Sequence, residues 1–246
     1  MAGHSKWANI KHRKAGQDAK RGKVFTKIIR EITVAAKVGG GNVSDNPRLR
    51  AVVDKALNAN MTRDTIDRAI VRGSGSAESE NLEELTYEGY GPGGVAILCQ
   101  TLTDNKNRTV AEVRHGFSKF DCSLGTSGSV SYLFTQTGVI SFASDVSEEE
   151  IMEHALDSGA HDIVVTEEGI DVMTTLESFG AVQDSLKGAG IESISAEMTM
   201  LASNEIDLNL EDAEKLLKLI EHLEDLDDVQ NVFSNAKFSA DIIAKL

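Results

Sequence analysis

The hydrophobic periodicity changes once along the chain, and this change limits the folds it can adopt. From about residue 23 to residue 72, apolar residues recur at intervals of three and four, which is the spacing of amphipathic helices. Gly73–Asn81 then reads GSGSAESEN, a composition typical of a linker. Beyond it, short apolar runs typical of β-strands alternate with helical patterns. The sequence therefore predicts a helical N-terminal part followed by mixed helix and sheet.

Three short helices are predicted in the N-terminal part. The first runs from about Lys23 to Val38 and ends at Gly39, where a left-handed cap is expected. The second begins at Asn46-Pro47, a cap residue followed by proline at the first helical position. The third begins at Thr62, where Met61 precedes the first turn as a hydrophobic staple would. Residues 1–21 show no apolar periodicity and are expected to form a flexible basic arm.

Four further helices and eight strand-like runs are predicted beyond the linker. SVSYLFTQ and VISFAS are two of these runs, interpreted as separate strands on either side of Gln136-Thr137-Gly138. From Val139 to Leu201 the order is β-α-β-β-α-β, the ferredoxin-like unit. The predicted helices are Asn107–Phe120, Ser147–Ser158, Leu176–Gly188 and Asn209–Leu226.

The flanking segments, β-β-α-β before this unit and α-β after it, would form one domain that the unit interrupts. We therefore predict an α+β multidomain protein, in which an N-terminal three-helix bundle is followed by two ferredoxin-like α/β domains, one inserted in the other. The predicted boundaries are 1–78 for the basic arm and bundle, 79–137 with 203–246 for the discontinuous domain, and 138–202 for the inserted domain.

The net charge of −14 hides a strong asymmetry. Residues 1–72 contain 16 Lys and Arg against 6 Asp and Glu, a balance of +10, whereas the remaining 174 residues contain 9 against 33, a balance of −24. Such asymmetry favours a polyanion as the partner of the basic part. The acidic remainder would repel nucleic acid and so orient the molecule as it docks.

The cations are concentrated on the arm and the first helix, with Trp7 among them as a planar face for a base. Mobile Lys and Arg neutralise phosphates with little choice of sequence. A solvated surface is the competing interpretation, but a block this dense beside an acidic remainder favours nucleic-acid contact. The candidate nucleic-acid-binding residues are Lys6, Trp7, Lys11, Arg13, Lys14, Lys20, Arg21, Lys23, Lys27 and Arg30.

A second candidate patch lies on the predicted helix from Asn107. Arg108, His115 and Lys119 project together, opposite an apolar face that includes Val113. An ordinary solvated face is the competing interpretation of this pattern.

Other sites are not supported by the motifs. Gly89, Gly91 and Gly94 match the dinucleotide fingerprint G-x-G-x-x-G, but VAILCQTLT follows them as a strand where a pyrophosphate site needs a helix. The six histidines do not pair with each other at i, i+4 or with cysteine, so no metal site is predicted. GTSGSVSYLF lacks the final glycine of a G-x-S-x-G elbow. We expect no catalytic residue, no cofactor and no bound dinucleotide.

The sequence also favours a cytoplasmic protein with no membrane partner. No apolar run approaches the length of a membrane-spanning helix, and the N-terminus lacks the apolar centre of a secretory signal. Cys99 and Cys122 have no C-x-x-C spacing and are expected to be reduced, which fits a reducing compartment.

Several strings resemble the YebC family, which includes the mitochondrial translational activator of cytochrome oxidase. They are MAGHSKWANIKHRKAGQDAKRGKVFTKIIREI, NPRLRAVVDKAL, MTRDTIDRAI, YEGYGPGG, DNKNRTVAEVRH and GTSGSVSYLF, and the likeness is densest from Met1 to Phe134. Because the GHSKW segment stands at Met1, the chain looks like a bacterial cytoplasmic member.

The resemblance implies an N-terminal helical domain, two α/β domains with one interrupting the other, and no enzymatic activity. It also implies regulation of gene expression, because members have been labelled DNA-binding transcriptional regulators and, more recently, ribosome-associated translation factors that relieve stalling. On this resemblance the basic arm would anchor nucleic acid, and the second patch and the Gly89–Gly94 turn could add contacts. Ribosomal RNA is favoured over duplex DNA because the third predicted helix carries Asp64 and Asp67 on the surface that a DNA groove would face. The alternatives that stay open are a transcriptional regulator on duplex DNA and a scaffold acting through its acidic α/β part.

Overall fold

The computed structural model describes residues 19–75, 81–167 and 169–246, with side chains from residue 22 onward. These residues divide into two compact units. The first unit contains the N-terminal helices together with Gln136–Met200, and the second contains the described residues from 81 to Thr135 together with Leu201–Leu246. The three domain boundaries expected from the sequence, near residues 78, 137 and 202, stay a prediction.

The helices of eight residues or more are α1 (Ala19–Gly39), α2 (Pro47–Asn58), α3 (Arg63–Ser74), α4 (Lys106–Lys119), α5 (Glu148–Asp157), α6 (Leu176–Gly188) and α7 (Leu210–Glu224). The strands are β1 (Glu83–Tyr90), β2 (Ala96–Thr103), β3 (Ser123–Leu124), β4 (Phe134–Phe142), β5 (Asp162–Thr166), β6 (Gly169–Thr174), β7 (Ser195–Ala202), β8 (Ile206–Asp207), β9 (Val229–Ser234) and β10 (Ala236–Lys237). A short helix, α8 (Ala240–Ile243), follows the last strand. The mixture of an N-terminal helical part and sheet domains confirms the predicted fold class.

Helices α1, α2 and α3 share one aliphatic core. Ile32 and Leu49 are fully buried in it, and Ile28 and Ile66 are nearly so. Met61, which precedes α3, is also buried in this core. Because aromatic residues make up only 5% of the chain, burial of these aliphatic side chains supplies the stability of the bundle.

The connection between α1 and α2 depends on one buried amide. The Asn46 side chain caps α2 by accepting from the Leu49 N–H at 3.0 Å, and its Nδ2 donates to the Ala35 and Gly40 carbonyls at 2.9 Å each. The expectation that Gly39 is the left-handed cap of α1 is wrong: the helix includes Gly39, and Gly40 takes the positive φ of 84°. Gly39 is needed for space, because a Cβ there would lie 2.5 Å from the Asn46 amide nitrogen.

The sheet of the first unit has the order β5-β6-β4-β7, which is the ferredoxin-like order for the chain sequence β-α-β-β-α-β. Its apolar face packs on α5 and α6 around Phe142, Ile151, Val172 and Leu186. The expectation of two separate strands around Gly138 is wrong, because β4 continues from Phe134 to Phe142. Gly138 serves a close approach rather than a turn: a Cβ there would lie 2.3 Å from the Thr174 Oγ1.

The sheet of the second unit has the order β3-β1-β2-β9, and β1 pairs antiparallel with both β2 and β3. Strand β9 comes from the C-terminal segment and pairs antiparallel with β2. The third strand of this sheet is Ser123–Leu124 rather than the predicted SVSYLFTQ, whose Ser131–Leu133 forms a 3-10 turn. Among the helices of the described ranges, none combines the length and apolar character that crossing a membrane requires.

We expect Asn46→Ala to lower the free energy of unfolding by about 2 kcal/mol, since it removes the α2 cap and leaves two carbonyls without their donor. Urea unfolding followed by far-ultraviolet circular dichroism measures this effect. Asn58→Ala, at an exposed position at the end of α2, is the matched control and should change stability by less than about 0.5 kcal/mol. Equal effects of the two substitutions would contradict the role given to Asn46.

Candidate nucleic-acid interface

The structure describes part of the predicted basic block. Lys6, Trp7, Lys11, Arg13 and Lys14 lie outside the described residues. Lys20 and Arg21 belong to α1 by their backbone, but their side chains are outside the described set.

The described cations of the block form a stripe along α1. Lys23, Lys27 and Arg30 follow one another at intervals of four and three residues, which places them on one face of the helix over about 10 Å. Lys23 is exposed, and the other two are half-buried. On the opposite face of α1, Ile32 is buried.

A single carboxylate lies between residues 19 and 44 of the sequence, and it faces the bundle rather than this stripe. It belongs to Glu31, which is buried and accepts from the Lys55 Nζ of α2 at 2.9 Å and 3.0 Å. The ion pair with Lys55 neutralises Glu31, so the stripe of Lys23, Lys27 and Arg30 adds positive charge to a helix whose one carboxylate is already paired. This geometry suits contact with a row of phosphates.

Helix α3 has a different surface. Its exposed Arg68 donates from Nε to the Asp64 carbonyl at 3.2 Å, and its Nη2 is ion-paired with the Asp64 carboxylate. Asp67 is exposed on the next turn. A helix that reads the major groove needs donors directed at base edges and few carboxylates beside them, and α3 does not fit that description.

In the second predicted patch, Arg108 differs from His115 and Lys119 because it forms ion pairs with Asp104 and Asp228. Its guanidinium donates to Asp228 Oδ2 from Nε at 3.1 Å and from Nη2 at 2.7 Å, and to Asp104 at 2.7 Å. The Thr103 and Thr109 hydroxyls donate to the same Asp228 oxygen at 3.1 Å and 2.8 Å. Arg108 therefore closes a polar network at the start of α4.

The pKa of the Asp228 carboxyl reflects this network. Burial would raise it, but the hydrogen bonds from Arg108, Thr109 and Thr103 outweigh burial and hold the pKa below its ordinary value. The hydrogen bonds of Arg108 to Asp228 and then to Asp104 raise the pKa of its guanidinium.

His115 and Lys119, by contrast, are exposed at the other end of α4, where α7 contributes His222. Lys119 Nζ lies 5.6 Å from the centre of the Phe120 ring, which lies 5.8 Å from the His222 ring. Burial lowers the pKa of His222, and the charges of Lys119 and His115 lower it further. Two of the three predicted residues thus lie beside one histidine that the sequence did not indicate.

The Gly89–Gly94 segment forms a structural turn. Gly91 precedes and Gly94 ends a 3-10 turn between β1 and β2, and Gly93 packs so closely on the segment before α7 that a Cβ would lie 2.6 Å from the Leu208 side chain. A strand, and not a helix, follows the turn, so the geometry of a dinucleotide fingerprint is not formed. Within residues 19–75, 81–167 and 169–246, no group of His, Cys, Asp and Glu side chains is arranged to hold a metal ion.

A feature that sequence reasoning missed lies beside this turn. Glu88 is buried, and its carboxylate accepts from the Gly128, Val130 and Ser131 amides at 2.7 Å each. Burial would raise the pKa of Glu88, but these amide hydrogen bonds lower it below its ordinary value of 4.5. One carboxylate therefore fixes a Gly- and Ser-rich loop onto β1. The only sequence signal is a lone acid within an otherwise uncharged glycine-rich segment.

We expect the stability of the second unit to fall as the pH decreases below about 4.5. The folded-state pKa values of Glu88 and Asp228 are depressed, so their stabilisation is present above the unfolded-state values and is lost as the pH falls through the folded-state values. All three tyrosines, Tyr87, Tyr90 and Tyr132, lie in this unit, so near-ultraviolet circular dichroism during urea unfolding reports on it.

Glu88→Gln should lower stability at pH 7 by about 2 kcal/mol and make it less dependent on acid pH, because an amide NH2 then faces backbone N–H donors. The exposed Asp207→Asn is the matched control and should leave both quantities unchanged. A wild-type protein with the same stability from neutral pH to about pH 3 would contradict this account.

Comparison with known proteins identifies the family. The model of the TACO1/YebC N-terminal domain matches residues 5–76, and that of the TACO1/YebC second and third domain matches residues 82–236. A probable transcriptional regulatory protein of Idiomarina loihiensis is 61% identical over 100% of this chain and 99% of its own length. The transcriptional regulatory protein PmpR of Pseudomonas aeruginosa is 61% identical over 100% of both chains.

A solved structure extends the likeness to three dimensions. The crystal structure of a conserved hypothetical protein from Aquifex aeolicus superimposes with a TM-score of 0.77 at 45% identity, covering 92% of this chain and 94% of that one. The chain belongs to the TACO1/YebC family.

Proposed function

We propose that this protein regulates gene expression without catalysis, as a translation factor of the cytoplasm that binds ribosomal RNA through its basic N-terminal block. The observation that carries the proposal is the concentration of positive charge in residues 1–72, continued on α1 by the stripe of Lys23, Lys27 and Arg30. The ion pair between Glu31 and Lys55 supports it, because it neutralises the one carboxylate of residues 19–44.

Ribosomal RNA is favoured over duplex DNA by the surface of the N-terminal helices. A cationic stripe with no base-reading geometry fits the phosphates of a folded RNA, which proteins recognise largely by shape. Helix α3 would be the natural groove helix of a DNA-binding bundle, yet Asp64 neutralises its Arg68 and Asp67 lies beside them. Both features favour the ribosome as partner.

A DNA-binding transcriptional regulator is the second candidate. The printed names of the relatives from Idiomarina and Pseudomonas favour it, since both are called transcriptional regulatory proteins. Phosphate contacts are common to both candidates and do not separate them.

Cosedimentation with purified ribosomes at near-physiological salt, with excess duplex DNA as competitor, separates the candidates. We expect the protein to pellet with ribosomes at every DNA concentration, because its contacts fit the fold of ribosomal RNA. Release by DNA, followed by selection of a preferred duplex sequence, would overturn the translation-factor proposal in favour of the transcriptional one.

Neutralising the arm tests which cations are responsible. Replacing Lys11, Arg13, Lys14, Lys20 and Arg21 by Ala should weaken ribosome binding by about 100-fold or more. It should also make binding less dependent on salt, because a protein that makes fewer phosphate contacts releases fewer counterions when it binds. The measurement is cosedimentation over a range of salt concentrations.

The matched control removes the same number of positive charges from another part of the chain. It replaces Lys187, Lys215, Lys218, Lys237 and Lys245 by Ala, and ribosome binding should stay within about threefold of wild type. If the two variants lose equal affinity, net charge alone governs binding and the arm is not the anchor.

A further inference from the structure

Two tyrosines stand out from the other aromatic side chains of the described residues. Tyr132 is 75% exposed and Tyr90 is 41% exposed, and in residues 22–75, 81–167 and 169–246 no other aromatic side chain is among the exposed large hydrophobics. Phe117 and Phe142, by comparison, are fully or almost fully buried. An exposed aromatic ring forgoes the stabilisation that burial would give.

Both tyrosines belong to one loop cluster of the second unit. The Tyr90 hydroxyl donates to the Ser129 carbonyl at 3.1 Å, which places its ring against the loop that leads to Tyr132. Glu88 lies two residues before Tyr90 on the same face of β1, and its carboxylate holds the amide of Ser131, the neighbour of Tyr132. The Glu88 carboxylate thus joins β1, which carries Tyr90, to the loop that carries Tyr132.

The two segments of the chain that carry the rings have no charged residue of their own. No Asp, Glu, Lys, Arg or His occurs from Gly89 to Thr103 or from Cys122 to Ser144. The carboxylate of Glu88, which directly precedes the first segment, is buried against three amides. Gly128, at a positive φ of 84°, has open space where a side chain would stand.

We propose that Tyr90 and Tyr132 form a stacking surface for unpaired RNA bases. Aromatic side chains stack on bases of any identity, and a flat base needs a ring flanked by small residues and free of carboxylates that would repel its phosphate. This cluster meets those needs within a segment of the chain that is otherwise acidic. The inference rests on the RNA-binding function proposed above and adds a contact that reads bases rather than phosphates.

The test compares two single-stranded RNA oligonucleotides of equal length, one intact and one with abasic positions that keep every phosphate. Fluorescence anisotropy at near-physiological salt gives the affinity of the full-length protein for each. We expect Tyr132→Ala to weaken binding of the intact oligonucleotide by about 10-fold and to leave binding of the abasic one unchanged. Tyr132→Phe, which keeps the ring, should bind both as the wild type does.

Tyr90 is tested with a pair of variants because its hydroxyl also holds the loop. Tyr90→Phe keeps the ring and loses only the hydrogen bond to Ser129, so it should retain affinity, whereas Tyr90→Ala should lose it. Ile194→Ala removes a side chain that is 66% exposed elsewhere in the chain and is the matched control, which should not change binding.

The outcomes separate this inference from the proposed function. If the wild type binds RNA and Tyr132→Ala binds the intact oligonucleotide as tightly as the wild type does, the stacking surface is wrong and the proposed function stands. If the wild type binds neither oligonucleotide nor ribosomes, both fail. If the alanine variants keep RNA affinity but no longer pellet with ribosomes, the tyrosines contact a ribosomal protein and base stacking is overturned.

Discussion

The second unit depends on contacts that join two segments separated by more than sixty residues of intervening chain. Closing so long a loop costs conformational entropy, and the joining contacts must offset it. Strand β9 pairs with β2, and the Asn235 side chain accepts from the Ala96 amide at 2.8 Å. Asp228 joins the segments most strongly, because one of its oxygens accepts from Arg108, Thr103 and Thr109. A buried carboxylate is stable only with such partners.

Basic and acidic residues are concentrated in different parts of the chain. Between Gln136 and Met200 there are fourteen Asp and Glu and a single basic side chain among Lys and Arg, Lys187. Such a segment repels nucleic acid, whereas residues 1–72 attract it. Between these extremes in charge lies the uncharged sequence around Tyr90 and Tyr132. A partner that carries phosphates can therefore approach only some parts of the chain without repulsion.

Much of the fold could be predicted from the sequence, because its local signals agree with its tertiary contacts. Helices α2, α5 and α7 begin after the cap residues Asn46, Ser147 and Asn209, as the pattern indicates. Two of the failures share one cause. In the sequence, Gly39 and Gly138 look like the ends of a helix and a strand. Each is a glycine because another side chain approaches its backbone closely. That approach is a tertiary fact and leaves no local signal.

The candidate site was less predictable for a related reason. A block of Lys and Arg is visible in any sequence, so the basic arm was found. A count of charges could not show that Asp228 binds Arg108, which reduces the predicted second patch to His115 and Lys119 beside His222. Nor could it show that Glu88 is buried under a loop forty residues away, close to two exposed tyrosine rings. Long-range pairing decides which charges reach the surface.

The discontinuous sheet also sets the order in which a newly made chain can complete its parts. Strand β2 pairs with β1 on one side and with β9 on the other. Because β9 does not exist until residues 229–234 have been synthesised, the sheet β3-β1-β2-β9 stays open at one edge while nearly all of the protein is made. The segment Gln136–Met200, by contrast, carries all the strands and helices of its own sheet and is complete earlier. The edge of β2 therefore stays unpaired in the nascent chain until residues 229–234 have been synthesised.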